Sequence, residues 1–414
     1  MPVDASEKRI LRELAKRYSE IAQSDKQKAC EQRFRDSNDL KIVRPPVLMD
    51  EIPWHEMDID GELVLQTTDP FAQTMEQFFK RHIYAHHYFV CDIFAENHYP
   101  IPRSFSSTDT GIHVEDTIRA THPNNHIVSH QYHDLLADDT ALDKMNLSTL
   151  TVHPEQDTAN VAAAEDILYG ILPVSLRGVG IYWAPWDVIP RLHGVDNTLT
   201  DMLDRPAFMH RIIAKMTKEY ENVLDQYEKF GLLDAKLPSI HCTPAYISGA
   251  PADDYHGGYY RKKDMWFRSM AQLFGSVSPE MHWEFDLQYS VPIMEKCAYT
   301  YYGCCEALDN KIDILKRKIP NLRKIGVSPW ADAEKCAEQI GKDYVLASKP
   351  NPAYVAINAD PVAIRQEIMK TVKAALKYGC PCEFVLKDIS TVSFHPQNLI
   401  IWANTVSEVL DQFY

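Results

Sequence analysis

Eight short β-prone runs, separated by stretches with helical spacing of apolar residues, constrain the fold of this chain more than any other feature. The runs cover residues 42–49, 88–95, 173–180, 238–242, 298–305, 322–327, 343–348 and 383–389. Amphipathic helices fall between most of them, at 206–230, 279–295, 333–340, 361–377 and 396–412. Several open with proline at or near the first turn, where its missing N–H costs nothing. Strands that alternate with helices pair in parallel through right-handed crossovers, and eight such units close most simply into a (β/α)8 TIM barrel. The alternative is an open doubly wound sheet, against which stands the absence of a G-x-G-x-x-G between a first strand and helix.

Two segments lie outside this rhythm. Residues 1–40 read as an N-terminal helical extension, with Ile10, Leu14, Tyr18 and Ile21 at helical spacing. It suits a homodimer interface or packing on its own barrel, which would span 41–414. Residues 100–160, rich in His, Asn and Asp, read as an insertion or lid after the second strand.

Composition removes several function classes. Of 414 residues, 58 are acidic and 43 basic, and no Lys/Arg stripe offsets the net charge of -15, which disfavours nucleic acid as a partner. The N-terminus has no apolar signal region and no run is long enough to span a bilayer, so the expected location is cytoplasmic, without a membrane partner. Nine cysteines, odd in number and irregularly spaced, read as reduced thiols in a disulfide-poor chain.

In a barrel, chemistry gathers where strands end. Those positions carry Glu96, Arg177 followed by Trp186, His241-Cys242, Cys304-Cys305-Glu306, Trp330, Lys349 and Lys387-Asp388. A ring of polar and aromatic groups at strand ends points to a pocket for a small-molecule substrate. His241, Cys242, Cys304 and Cys305 form the one concentration of soft ligands, and of these His241, Cys304 and Cys305 are the candidate ligands for zinc. The same residues also fit a Cys nucleophile with His241 as base, or plain buried thiols. Lys349, Lys387 and Arg177 can hold a carboxylate, Glu306 or Asp388 can move a proton, and Glu96, Trp186 and Trp330 can line the substrate.

The stretches "YYGCCEALDNKIDILKRKIPNLRKIGVSPWADAEKCAEQIGKDYVLASKPNP" and "EFVLKDISTVSFHPQNLIIWANTV" resemble the uroporphyrinogen decarboxylase superfamily, in particular a bacterial uroporphyrinogen decarboxylase-like branch, over roughly residues 40–414. The resemblance implies a (β/α)8 barrel. Decarboxylases of the family carry an Arg-rich N-terminal segment that binds substrate carboxylates, whereas the matching region here, "VRPPVLMDEIPWHEMDIDGE", is acidic. The superfamily also contains cobalamin-dependent methyltransferases, whose zinc is held by an H-x-C pair and a Cys at the last strand. Cys304 matches the first cysteine, but Tyr302 stands in place of the histidine and Lys387-Asp388 in place of the second cysteine. The resemblance implies methyl transfer from a small donor, aromatic donors included, to a corrinoid carried by a partner protein. A metal-free decarboxylase or lyase on a carboxylate substrate is the second expectation, and a non-catalytic barrel that binds a corrinoid or aromatic ligand the third.

Overall fold

The computed structural model describes residues 3–119 and 128–414. Seven parallel strands form one curled sheet: β1 (Val47–Met49), β2 (Ile181–Trp183), β3 (Trp266–Ser269), β4 (Tyr299–Tyr302), β5 (Leu322–Val327), β6 (Val345–Ser348) and β7 (Cys382–Leu386). Their order is β1-β7-β6-β5-β4-β3-β2, so the sheet curls as a barrel does but is open between β1 and β2.

The opening is where the second expected strand would lie. Residues 88–95 run beside β1, with the Asp92 amide donating to Val47 O at 2.8 Å, but form no strand. Of their other backbone groups, the amides of Phe89 and Ile93 bond locally to Ala85 O and Cys91 O, and two more go to a side chain. Gln27 of the helix Asp25–Asn38 takes both the carbonyl of Ile93 and the amide of Ala95, at 2.8 and 2.9 Å. The third run is displaced as well. Val174–Arg177 pairs with Tyr99–Pro102 outside the sheet, and the sheet strand is Ile181–Trp183, just past two glycines. The fourth run supplies only one arm of a hairpin, and the strand that takes its place, β3, went unforeseen in the sequence.

Side chains alternate between two faces along each strand, and here both faces are buried. Phe267, Tyr302, Ile325, Val327, Leu346, Phe384 and Leu386 face the surrounding helices within the large hydrophobic core. The opposite face, lining the bore, carries Trp266, Arg268, Tyr299, Tyr301, Lys324, Ala347, Lys349, Glu383 and Lys387. An apolar outer layer thus encloses a polar axis, and the charges of that axis must find partners within the fold.

The N-terminal extension is two helices, Ala5–Ala22 and Asp25–Asn38, broken at Gln23 and Ser24. Leu11, Ala15 and Tyr18 of the first pack with Met75 and Phe79 of the helix Pro70–Tyr88, so this face is taken up by the chain itself. Within 100–160, two antiparallel hairpins join Phe105–Ser107 to Leu150–Val152 and Asp116–Arg119 to Ser129–Tyr132, and 120–127 lie outside the described residues. Among the described residues no helix is long and apolar enough to cross a membrane.

Candidate functional site

A short hairpin reaches into the bore. Ser239–Ile240 pairs antiparallel with Thr243–Pro244, and the two-residue turn between them consists of His241 and Cys242, at φ 35° and 63°. Such a turn requires positive φ at both central positions and normally takes Asn-Gly or Gly-Gly. Here two residues with full side chains adopt it, a strained arrangement that must be held from outside. The hold comes from the bore. Lys324 Nζ donates to Thr243 Oγ1 and to Pro244 O, each at 2.9 Å, and pairs with Glu383 Oε2 at 2.7 Å. Trp266 Nε1 donates to Ala245 O at 2.8 Å, and Asn38 Nδ2 donates to Pro244 O and Tyr246 O at 3.0 and 2.8 Å.

The tip brings His241 Nε2 to 3.9 Å from Cys304 Sγ. Cys304 lies just beyond β4, after Gly303, whose φ of 98° turns the chain. Its sulfur is 3.2 Å from Lys387 Nζ and 3.7 Å from Cys305 Sγ. Cys305 in turn donates to Asp388 Oδ2 at 2.8 Å, and Asp388 Oδ1 is 3.0 Å from Lys387 Nζ. The two thiols are driven apart in acidity. The contact with the Cys305 sulfur lowers Cys304 most; burial opposes this, and His241, Arg268 and Lys387 add to the lowering. The same contact, with burial, raises Cys305. These opposite shifts favour the negative charge on the buried sulfur beside the ammonium and the proton on the half-buried sulfur above it. Burial works against the charge of Lys387, but Cys304, Cys242, Cys305 and Asp388 together outweigh it and raise the lysine.

Beside this pair lies a layer of buried groups without partners. Arg268 stacks its guanidinium on Tyr301, 3.9 Å from the ring centroid, and Lys349 Nζ is 5.5 Å from the same centroid. Among the described residues Lys349 Nζ, Arg268 Nε, Tyr301 Oη, Ser269 Oγ and Ser328 Oγ have no hydrogen-bond partner, although all five side chains are buried.

Of the residues singled out in the sequence, His241, Cys304, Cys305, Lys387 and Asp388 converge, and Lys349 stands in the adjoining layer. His241 arrives on a hairpin tip, not at the end of a sheet strand. Glu306 sits behind the site, where its carboxylate accepts the amides of Cys304 and Ala271 at 2.9 and 3.1 Å. It shapes the loop after β4 and is not presented to the bore. Glu96 and Arg177 are not brought here: they pair with each other at 2.6 Å, and Arg177 stands before the start of β2, at the other end of the sheet. Trp186 is buried against Phe274, with ring centroids 4.4 Å apart, while Trp330 is 72% exposed on the rim. Sequence reasoning missed Arg268, Tyr301 and the pair Lys324–Glu383. The signal for them was present as charged or hydroxyl-bearing residues at alternate positions of short apolar runs.

Among the described residues no group of three His, Cys, Asp or Glu side chains could hold a metal ion. The cation beside Cys304 Sγ is the ammonium of Lys387, and Tyr302 turns outward to Asp286 and His282.

No family model and no curated protein matches the chain, so its resemblance to the uroporphyrinogen decarboxylase superfamily stands on its motifs. Among solved structures it is similar to one described as "methyltransferase from Methanosarcina mazei", with a TM-score of 0.47 and 12% identity, over 93% of this chain and 99% of that one.

Proposed function

We propose that this chain is a transferase-type enzyme in which the Cys304 thiolate takes a methyl group from a small donor at the mouth of the barrel. The observation that carries this reading is the sulfur itself, with Lys387 Nζ at 3.2 Å, a second thiol at 3.7 Å and an imidazole at 3.9 Å. A thiolate is the nucleophilic form of cysteine, and an adjacent cation sustains it at neutral pH. In the first step the sulfur attacks the methyl carbon, the bond from carbon to the leaving atom breaks, and its electron pair departs with that atom. Cys305 supplies the proton the leaving group needs and regains one from solvent through Asp388, which is partly exposed. The onward acceptor on this reading is a corrinoid presented by a partner protein. The chain's own part in that step is to take the returning negative charge on sulfur, against Lys387.

Cys304 is closed off from bulk solvent, so the donor must pass Cys305, His241 and Tyr182, whose ring stands 4.9 Å from the imidazole. Exclusion of water around a thiolate strengthens its attraction to the ammonium and its reactivity toward carbon.

The test is incubation of the purified chain with aryl methyl ethers, methylated thiols and methylated amines, followed by peptide mass spectrometry. A methyl group on Cys304, lost in Cys304→Ser, is the expected result. Turnover by Cys304→Ser at the rate of the unaltered chain would sink it. A second reading, a lyase acting on a carboxylate substrate, is favoured by the buried cations Arg268 and Lys349; release of carbon dioxide without any methyl acceptor would establish it.

A further inference from the structure

Four buried cations point into the bore, and they divide into two kinds. Lys324 has Glu383 at 2.7 Å, and Lys387 has the Cys304 sulfur at 3.2 Å. Arg268 and Lys349 have no carboxylate within ion-pair distance among the described residues, and Lys349 Nζ and Arg268 Nε have no hydrogen-bond partner of any kind. Burial of an ammonium and a guanidinium edge without a counterion is costly enough that such groups are found paired. Both lie on one ring, that of Tyr301, whose hydroxyl is also unpartnered. Register brings the remaining donors alongside. Arg268 is paired with Tyr301 across β3 and β4, and the Lys349 amide donates to Val327 O, which sets Lys349 next to Ser328. Ser328 and Lys349 also line a cavity of roughly 300 Å³ with Ser348, Tyr354, Glu367 and Lys370, which gives a ligand a way to Lys349; Arg268 and Tyr301 lie behind Lys349 and do not line it.

We propose that Lys349 and Arg268, with Tyr301 Oη and Ser328 Oγ, form a subsite for a carboxylate, so that the substrate carries its anion here and its reacting carbon toward Cys304. The planar guanidinium edge favours a carboxylate. Nη1 of Arg268 donates to Ser269 O and Nη2 faces the Met270 sulfur, while Nε has no partner. A guanidinium edge and an ammonium over one ring, with two hydroxyls, suit the planar pair of oxygens of a carboxylate. The subsite rests on the reading of the mouth as a substrate site, but not on the nucleophilicity of Cys304.

The experiment uses the full chain carrying Cys304→Ser, titrated calorimetrically with benzoate, acetate and inorganic phosphate. A crystal soaked in 4-bromobenzoate then locates the ligand by its bromine. One saturable carboxylate site is expected, with the carboxylate between Lys349 and Arg268. Lys349→Met should weaken binding roughly tenfold or more, as loss of a charge-assisted contact does. Lys349→Arg should retain it, and Ser328→Ala should lose a few-fold. If Lys349→Met does not fold, retention in Lys349→Arg together with loss in Ser328→Ala decides the same question. Absence of saturable binding, bromine density elsewhere, preference for phosphate, or density for ordered water or an adventitious ion only at Lys349 would each overturn the subsite. Because Cys304 is absent from the test protein, failure of methyl transfer leaves this result untouched.

Discussion

The deep layer of the bore and its mouth solve the same problem, a buried lysine, in opposite ways. In the deep layer Lys324 has a carboxylate, a hydroxyl and a carbonyl, so every donor of its ammonium is used. At the mouth Lys387 has a sulfur that can gain or lose a proton and the half-exposed carboxylate of Asp388, and Lys349 has no hydrogen-bond partner. A fully satisfied buried pair fixes geometry, here the hairpin that carries His241. A cation left with a titratable or missing partner is free to act on a ligand. The contrast separates charge that holds the fold from charge available for chemistry.

The largest effect should come from breaking the deep pair. Glu383→Ala leaves Lys324 buried without its anion and should destabilise the chain by about 3–5 kcal/mol, the range for removing one partner of a buried pair. Urea unfolding measures it. The double change Lys324→Met with Glu383→Leu should recover most of that loss, because an apolar pair of similar volume needs no counterion. Equal loss in the single and double variants would show that the pair does not act as a unit.

Lys387→Met should do the reverse, with little loss of stability and a large loss of sulfur reactivity. Without the ammonium, Cys304 can take up a proton and stay neutral, an escape closed to Lys324. The rate of alkylation by iodoacetamide at pH 7 should fall roughly tenfold for each unit by which the thiol rises. The sign for stability follows from the lowered Cys304. A thiol more acidic in the folded chain contributes stability above the ordinary thiol range and loses it as pH falls through the folded value. The unaltered chain should therefore weaken toward acid more steeply than Lys387→Met. Parallel pH profiles would show that Lys387 is not the group that holds the thiolate.

A carboxylate near the mouth sharpens the same contrast. Glu367 shares a cavity with Lys349 but is not paired with it; burial pushes Glu367 up to about 7, partly offset by the Asn351 amide. A raised carboxyl contributes stability below its unfolded value and loses it as pH rises through the folded one. From about pH 4.5 to 7 the chain should lose on the order of 2 kcal/mol that Glu367→Gln keeps. Thermal melts across that window read the difference.

How much of this was legible in the sequence depended on which face a residue serves. Runs such as Leu322–Val327 and Cys382–Leu386 announced themselves through their outward apolar residues, and five of the eight expected strands, those of β1 and β4–β7, stand in the sheet. Strand β3 was missed because Arg268 interrupts "WFRSM", and a charge in a short apolar run argues against burial unless a polar bore is already known. Residues 88–95 misled for the opposite reason. They are β-prone, yet Gln27, distant in sequence, takes the bonds a neighbouring strand would need. The strand-end rule found Cys304, Lys349 and Lys387, since strand ends are local. The same rule misplaced Arg177, whose strand belongs to another sheet, and Glu96, which lies outside any strand and pairs with Arg177. His241 was chosen for its chemistry, and the hairpin that delivers it depends on Lys324 and Glu383, two residues whose meeting no local pattern encodes.

That dependence yields the smallest predicted effect and the most direct one on the hairpin. His241 adopts φ 35° at the tip because the anchors below it leave no alternative. A non-glycine residue in the left-handed region is disfavoured by about 1–2 kcal/mol, and glycine escapes this while losing more chain entropy on folding. His241→Gly should therefore gain about 0.5–1 kcal/mol in urea unfolding, with slower alkylation of Cys304 because the imidazole is gone. His241→Ala keeps the strain and should show the slower alkylation without the gain. Stability that rises only in the glycine variant, while reactivity falls in both, means that strain is stored in the turn to hold a ring against sulfur. Equal stability in the two would mean that the turn is relaxed, and that the anchors in the deep layer carry the hairpin without loading it.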